Sequence, residues 1–392
     1  MSWPMQEYFN LDSGRLLAAL ESAQYRQAIF NIWFNRDYTL YGTLTGVNYD
    51  ISHWPVSESM RVYIRKDIAN QIWQYGAAPA AAAAAADPYA KGQITLAAAA
   101  VWGAAGSEPG QLQNPRGIAV APDGSIYVAD TDNSRIEHFD RSGNLLEAWG
   151  TFADSSKGPA PGGTFDQPWG VGVAPDGNVF VADTWNYRIQ EFTADGKFVR
   201  MWGSSGQANT PTGFYGPRDV AVDSKGRVYV ADTGNKRIVV FDENGNYLAQ
   251  IGSGGFGPGQ LDEPVGIALG PDGELYVADT WNQRVQVFRE TSTNSWTYDR
   301  QWAIAGWNGQ SLDNKPFLAV GSDGRVYVTD PQAYRVIVFN SQGGFLYTWG
   351  DYGTGSNAFK LPVGIQVDSQ GSVWVVDSGN GRVMQFQPPS TP

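Results

Sequence analysis

The 392-residue sequence contains no cysteine and only two histidines, His53 and His138. Without thiols it cannot form disulfide bonds, zinc–thiolate sites or cysteine nucleophiles. Two histidines are too few for most metal sites and catalytic triads that depend on imidazole groups. The sequence also lacks the motifs of serine hydrolases, zinc peptidases and nucleotide-binding loops. No catalytic residue is therefore predicted.

Charged residues are scarce and their balance is acidic. They make up 17% of the chain, and the formal net charge is −12. A protein that binds a phosphate backbone needs a basic stripe, so we expect no nucleic-acid partner. The sequence contains no run of about 18 apolar residues, so it predicts no membrane-spanning helix. The first residues also lack the basic and apolar regions of a signal peptide.

One sequence unit occurs six times. It contains a short apolar segment after a proline, a turn with glycine, and a second apolar segment that ends in aspartate. An arginine follows each aspartate by five residues, and an asparagine lies between them in five units, with Ala333 in the fifth. The pairs are Asp130–Arg135, Asp183–Arg188, Asp232–Arg237, Asp279–Arg284, Asp330–Arg335 and Asp377–Arg382. Repetition on this scale indicates a repeat architecture.

The first unit predicts four short antiparallel strands. They cover 117–121, 125–130, 135–139 and 145–149, and none of them shows helical periodicity. Four such strands form one propeller blade, so six units predict a mainly β fold, a six-bladed β-propeller over 92–388. The sixth unit lacks a fourth strand, whereas 94–103 reads as an unassigned strand. We expect this N-terminal strand to complete the last blade and close the ring.

The pattern PxGIAV…DGxxYVADTxNxRIxxF resembles the NHL repeat and covers about three quarters of the chain. This resemblance implies a six-bladed NHL-type propeller. It also implies a similarity to amidating lyases, streptogramin-type lyases and lactonases, which generally use a metal or a histidine at the channel mouth. A metal-dependent lyase or lactonase-like enzyme, with a cation such as calcium held by Asp and Asn, is therefore one alternative for the function.

Residues 1–76 are interpreted as a small α/β segment, and residues 77–91 as an Ala/Pro-rich linker. A helix is expected to carry the apolar stripe Leu16, Leu17, Leu20, Ile29 and Trp33, and a strand is expected at 60–64. In one interpretation this segment packs on the propeller as a subdomain. In the other, 62–67 with Ile72 and Trp73 resembles the extracytoplasmic part of bacterial membrane glycosyltransferases of the dolichyl-phosphate-mannose mannosyltransferase type. That resemblance implies an extracytoplasmic location and a membrane-attached parent chain.

The six Asp–Arg pairs allow two interpretations. A ring of carboxylates could bind cations, but every unit carries the same pair at the same offset. A site usually breaks the symmetry of a repeat, whereas the scaffold keeps it. An aspartate at a strand end can accept backbone N–H groups in a tight turn, and the arginine can bridge to it. We therefore predict a structural role for the pairs and no metal bound by them.

The positions that differ between units are better candidates for a site. Arg116, Trp169 and Arg218 follow the proline of units one to three, and Trp185 and Trp281 lie after the second strand of units two and four. We expect these five residues on one face, around the channel mouth. There they could stack a sugar ring and hold an anionic group. Alternatively, each tryptophan packs over a neighbouring loop.

Three functions follow from these features. The first is a non-catalytic, extracytoplasmic binding or scaffold module that recognises a glycan or protein partner on one propeller face. The second is the metal-dependent enzyme described above. The third is a self-assembling surface protein, since the glycine- and tryptophan-rich composition allows it. The oligomeric state and the identity of the ligand are not determined by the sequence.

Overall fold

The computed structural model describes residues 31–34, 60–63, 87–208, 210–307 and 314–389. The chain forms two compact units, Met1–Ala86 and Asp87–Pro392. In the first unit, the strands Asn31–Phe34 and Met60–Tyr63 pair in antiparallel fashion. The strand expected at 60–64 is present, but the helix expected through Trp33 is wrong at that residue. Aromatic and β-branched residues such as those in NIWF favour strands. The other residues of the expected stripe, and His53, lie outside the described residues.

The second unit is a six-bladed β-propeller in which each blade has four antiparallel strands. The strands of blade 1 are Ile118–Val120, Ile126–Asp130, Arg135–Phe139 and Leu145–Trp149, and those of blade 2 are Pro168–Val173, Val179–Asp183, Arg188–Phe192 and Phe198–Trp202. Blade 3 consists of Pro217–Val222, Val228–Asp232, Arg237–Phe241 and Tyr247–Ile251, and blade 4 of Pro264–Leu269, Leu275–Asp279, Arg284–Ser292 and Ser295–Ala303. Blade 5 consists of Leu318–Val320, Val326–Asp330, Arg335–Phe339 and Phe345–Trp349, and blade 6 of Pro362–Val367, Val373–Asp377, Arg382–Phe386 and Ala100–Trp102. The mainly β, six-bladed fold predicted from the repeat is confirmed.

A strand from the N-terminal side of the propeller closes the ring, as expected. Ala100–Trp102 pairs with Arg382–Phe386, and Val101 lies opposite Met384. The expected strand began at Ile94, but Gln93–Ile94 pairs instead in parallel with the last strand of blade 5. The segment therefore adds a fifth strand to blade 5 before it completes blade 6. Residues 87–91, assigned from composition to the linker, belong to this second compact unit.

Short elements connect the blades. Three pairs of two-residue parallel strands follow the fourth strands of blades 1 to 3: Thr151–Phe152 with Thr164–Phe165, Ser204–Ser205 with Gly213–Phe214, and Ser253–Gly254 with Gln260–Leu261. The 3₁₀ helices are Ala90–Gly92, Thr131–Asn133, Thr184–Asn186, Thr233–Asn235 and Ser378–Asn380. Among the residues described, no helix is both long and apolar enough to span a membrane.

Neighbouring blades are held together by tryptophans at the ends of fourth strands. Each ring packs against a glycine in the turn between the third and fourth strands of the next blade, where a Cβ atom would collide with it. The pairs are Trp102–Gly143, Trp149–Gly196, Trp202–Gly245 and Trp302–Gly343. Burial of these large apolar surfaces between the blades stabilises the ring.

The first strands of all six blades surround a central cavity of about 250 Å³. Most of its lining residues are small or aliphatic, because the first strands carry Gly, Ala, Val and Ile at these positions. Among the described residues that line the cavity, Asp219 is the one ionisable side chain. Trp169 and Arg218 lie at the starts of two of these first strands, and Arg116 lies just before a third.

Candidate functional site

The six Asp–Arg pairs have the same geometry in every blade. The arginine Nε lies 2.6 to 3.0 Å from the aspartate Oδ2. In blade 1, Asp130 Oδ1 also accepts the Gln113 N–H at 2.6 Å, and the Arg135 guanidinium donates to carbonyl groups of residues 107, 108 and 111. In blade 1 the pair thus anchors the inter-blade loop on its blade, and both carboxylate oxygens of Asp130 accept hydrogen bonds from donors of the protein itself.

The turns after the second strands and the segments before the first strands meet at one end of the channel. The backbone N–H of Trp185 donates to the Asp166 carbonyl, and the backbone N–H of Trp281 donates to the Asp262 carbonyl, both at 3.2 Å. Each of these acceptors lies two residues before the proline that begins the first strand of its blade. The tryptophans after the second strands therefore share this end of the channel with the residues that follow the prolines.

Three of the predicted site residues contact one another directly. The guanidinium carbons of Arg116 and Arg218 each lie 4.7 Å from the centroid of the Trp169 ring. The exposed fractions of Arg116, Trp169 and Arg218 are 1%, 4% and 5%. Cation–π contacts in such a desolvated place are worth about 2 kcal/mol each. Two buried arginines therefore share one indole ring at the start of the first strands.

Lys315 and Glu263 extend this group, although neither was singled out from the sequence. The Lys315 Nζ lies 2.7 Å from Glu263 Oε2, and the Arg218 Nη1 lies 3.4 Å from the same oxygen. The Lys315 Nζ also lies 5.2 Å from the centroid of the Trp281 ring. Burial lowers the pKa of Lys315 and of Arg218, and Glu263 acts in the opposite direction. Arg116, Trp169, Arg218, Glu263, Lys315 and Trp281 are called the mouth cluster below.

Trp185 is held differently. Its indole N–H donates to Gln167 Oε1 at 2.8 Å, and its side chain is half-buried. The structure thus connects Arg116, Trp169, Arg218 and Trp281 through the mouth cluster, and it fixes Trp185 beside Gln167.

Three residues of the mouth adopt a left-handed backbone. Asn114, Gln167 and Glu263 each precede a proline, and their φ angles are 50°, 50° and 48°. Residues other than glycine seldom adopt this conformation, and such positions often mark functional sites. Their side chains bind Ser378, Trp185 and Lys315, respectively. The residue before each proline also varies between units, as Asn114, Gln167, Gly216, Glu263, Lys315 and Leu361, and this variation was the sequence signal for Glu263 and Lys315.

Asp219 lies next to Arg218 in the chain but does not pair with it. Its Oδ2 accepts the Ile267 N–H of the next blade at 2.8 Å, and its Oδ1 accepts the Val220 N–H at 2.9 Å. Burial raises the pKa of Asp219 to about 8. The carboxyl group is therefore mostly neutral at pH 7. The guanidinium of Arg218 pairs with Glu263 instead.

The described residues do not fit the metal centre that the lyase and lactonase resemblance implies. Nowhere in the described ranges do three or more His, Cys, Asp or Glu side chains converge in a way that could hold a metal. The ionisable groups of the mouth cluster are three cations and one carboxylate bound to two of them. His138 stacks on Tyr127 of the same blade, with ring centroids 4.0 Å apart. Burial lowers the pKa of His138.

Comparison with known proteins agrees with the repeat seen in the fold. The NHL repeat matches residues 112–139, 165–192, 214–241, 261–288 and 359–386, which leaves blade 5 outside the matched segments. Human NHL repeat-containing protein 3 is 34% identical over 82 residues, which are 20% of this chain and 24% of the human protein. Mouse peptidyl-glycine alpha-amidating monooxygenase is 41% identical over 101 residues, 24% of this chain and 10% of the mouse protein. The chain thus spans a quarter or less of these relatives.

A solved structure shares the architecture. A gluconolactonase from Xanthomonas campestris aligns with a TM-score of 0.52 at 15% identity, covering 71% of this chain and 87% of that chain. At this identity the likeness concerns the fold, and function must be argued from the site. The repeats and the strand topology together identify the second unit as a six-bladed β-propeller that contains NHL repeats.

Proposed function

We propose that the propeller is a non-catalytic binding module that recognises a glycan at the mouth cluster. The observation that carries this proposal is the contact between buried cations and indole rings at one end of the channel. Trp169 is buried between arginines, whereas Trp281 is half-buried and offers part of its ring to a ligand. Binding sites for small ligands combine aromatic walls with a few placed polar groups, as this site does.

The electrostatics of the mouth support binding rather than catalysis. General acid–base catalysis requires a group whose titrating atom is free to contact the substrate. Glu263 is bound to Lys315 and Arg218, and Asp219 accepts two backbone N–H groups inside the wall of the channel. Both carboxyl groups are committed to contacts within the protein, and the cations beside them are suited to holding an anion.

A binding titration of the full chain tests this proposal. Neutral and acidic oligosaccharides are added, and binding is measured by tryptophan fluorescence and by calorimetry. Trp281→Ala should weaken binding at least tenfold, because the variant loses the half-buried ring next to Lys315. Trp296→Ala is the matched control, since Trp296 is also half-buried in blade 4 but packs on Arg227 and Tyr229. Equal affinities of the two variants, or no binding by any saccharide, would contradict the proposal.

The proposal also includes a place for the module, outside the cytoplasm and beside a membrane glycosyltransferase. Its support is the resemblance of 62–67, Ile72 and Trp73 to the extracytoplasmic part of such enzymes. An antibody against the propeller, used on fractionated source cells, tests it. An antigen in the membrane fraction that is much larger than 392 residues supports the link, and a soluble antigen of this size refutes it.

The two alternative functions are tested separately. A metal-dependent propeller should gain thermal stability with calcium and lose it with a chelator, by the linkage between binding and folding. A self-assembling protein should show a mass that rises with concentration in light scattering. A stable monomer that does not respond to calcium or chelator would leave the binding module as the function.

A further inference from the structure

Glu263 stands out in the mouth cluster because one carboxylate oxygen receives cations from two other blades. Lys315 precedes the first strand of blade 5, and Arg218 begins the first strand of blade 3. The Glu263 side chain is 19% exposed, whereas Lys315 and Arg218 are 1% and 5% exposed. The carboxylate therefore lies at the solvent side of two deeply buried cations.

Arg218 is poorly satisfied by the described residues around it. A guanidinium has five N–H donors. Among the described residues, Arg218 donates one long hydrogen bond, of 3.4 Å, from Nη1 to Glu263 Oε2. Its Nε is buried without an acceptor in the described part of the chain. A buried cation is costly unless it is paired and fully hydrogen-bonded. The donors of Arg218 are thus arranged to receive a further acceptor.

Charge balance indicates what that acceptor is. Arg218 and Lys315 carry two positive charges, and Glu263 supplies one negative charge. Asp219 contributes little negative charge at pH 7 because burial raises its pKa to about 8. One further anion would therefore balance the charges of Arg218, Lys315 and Glu263. Glu263 already shows that a carboxylate fits this place, and the planar guanidinium fork matches carboxylate geometry.

We propose that the mouth cluster binds a uronate sugar whose carboxylate bonds Arg218 and Lys315, and that Glu263 is a resident competitor for these two cations. The half-buried Trp281 ring, 5.2 Å from the Lys315 Nζ, provides the surface against which the pyranose ring packs. This inference rests on the proposed function, because it names the ligand class of the same site. It assigns to Glu263 a role in setting affinity, as the carboxylate that shares Arg218 and Lys315 with the ligand.

Calorimetric titration of the full chain with trigalacturonate, and with neutral galactotriose for comparison, tests the inference. Glu263→Gln removes the competing charge and should tighten trigalacturonate binding roughly tenfold, because both cations become available to the ligand. Lys315→Gln should weaken it roughly tenfold, since half of the pair is lost. The control is Glu243→Gln, which removes the same charge from an exposed turn of blade 3 and should leave affinity within twofold.

The outcomes separate this inference from the proposed function. A loss of folding cannot imitate tighter binding, so a gain in Glu263→Gln together with a loss in Lys315→Gln supports the role of Glu263. Unchanged or weaker binding in Glu263→Gln overturns it. If galactotriose binds as well as trigalacturonate, glycan recognition stands and the uronate assignment fails. If a triglutamate peptide binds and neither sugar does, the partner is an acidic protein segment, and both proposals fail.

Discussion

At the scale of single residues, Glu137 shows how the repeat sets the protonation of a buried group. Gln190 and Gln286 hold the equivalent place in blades 2 and 4. Each accepts a glycine N–H through Oε1 and donates through Nε2 to the aspartate of its blade, at 2.9 Å in all four bonds. Glu137 Oε1 accepts the Gly110 N–H at 3.0 Å, but its buried Oε2 has no donor among the described residues. Burial raises the pKa of Glu137 to about 7.

Glu137→Gln should therefore stabilise the protein at pH 8 and have much less effect at pH 5. The unfolded chain releases the Glu137 proton near pH 4.5, whereas the folded chain keeps it until about pH 7. The wild-type protein thus loses stability as pH rises through this interval, and glutamine, which donates at every pH, removes that loss. Urea unfolding at pH 5, 7 and 8 measures the effect.

The exposed Glu147→Gln in the fourth strand of the same blade serves as the control for a simple change in net charge. If both variants shift stability equally at pH 8, the environment of Glu137 is not the cause.

At the scale of elements, blade 5 differs from the other blades in how its arginine is used. Arg135 in blade 1 donates to carbonyl groups of the preceding inter-blade loop, but Arg335 in blade 5 donates to the Asp87 carboxylate. Tyr89 lies beneath this pair, with the Arg335 guanidinium carbon 5.1 Å from its ring centroid. Its hydroxyl accepts the Ala305 N–H at 3.1 Å. In blade 5 the segment Asp87–Ile94 thus contacts the arginine that binds an inter-blade loop in blade 1.

Tyr89→Ala should loosen this segment and cost about 3 kcal/mol of stability, as expected for removing a large buried aromatic side chain. Hydrogen exchange should accelerate first in the last strand of blade 5, which pairs with Gln93–Ile94. Lys91→Ala, at an exposed position of the same segment, should change neither quantity. Faster exchange spread evenly over all blades would show that the segment is not a local fastening.

The sequence predicted elements well where the signal is local. The third and fourth strands of blade 1 have the predicted bounds, since alternation and turn residues specify them. The pairing of Gln93–Ile94 with blade 5 was not predicted, because a two-residue strand carries no pattern and its partner is set by tertiary packing. Lys315 and Glu263 were missed although the residue before each proline varies between units. Their contacts join blades 3, 4 and 5 through the ring, which the order of residues does not show.

At the scale of the whole molecule, the ring closes through a contact between strands that are far apart in the sequence. This closing contact is called the joint below. Blades 1 to 5 follow one another in sequence, but blade 6 takes Ala100–Trp102 from before blade 1. Trp102 then repeats across this joint the packing seen between other blades. Its ring centroid lies 4.6 Å from that of Phe139 in blade 1 and 6.4 Å from that of Trp374 in blade 6. Closure also holds the first strands in place, and with them the mouth cluster.

Trp102→Ala should therefore cost about 3 kcal/mol of stability and weaken ligand binding at the distant mouth, since an opened ring no longer holds Arg116 and Arg218 against Trp169. Val101→Ala is the control from the same strand. Val101 is 42% exposed, and its truncation should cost less than about 0.5 kcal/mol. Thermal unfolding and calorimetry on both variants measure the two effects. A large loss of stability with unchanged affinity would show that the mouth is organised by blades 1 to 3 alone, without help from the closed ring.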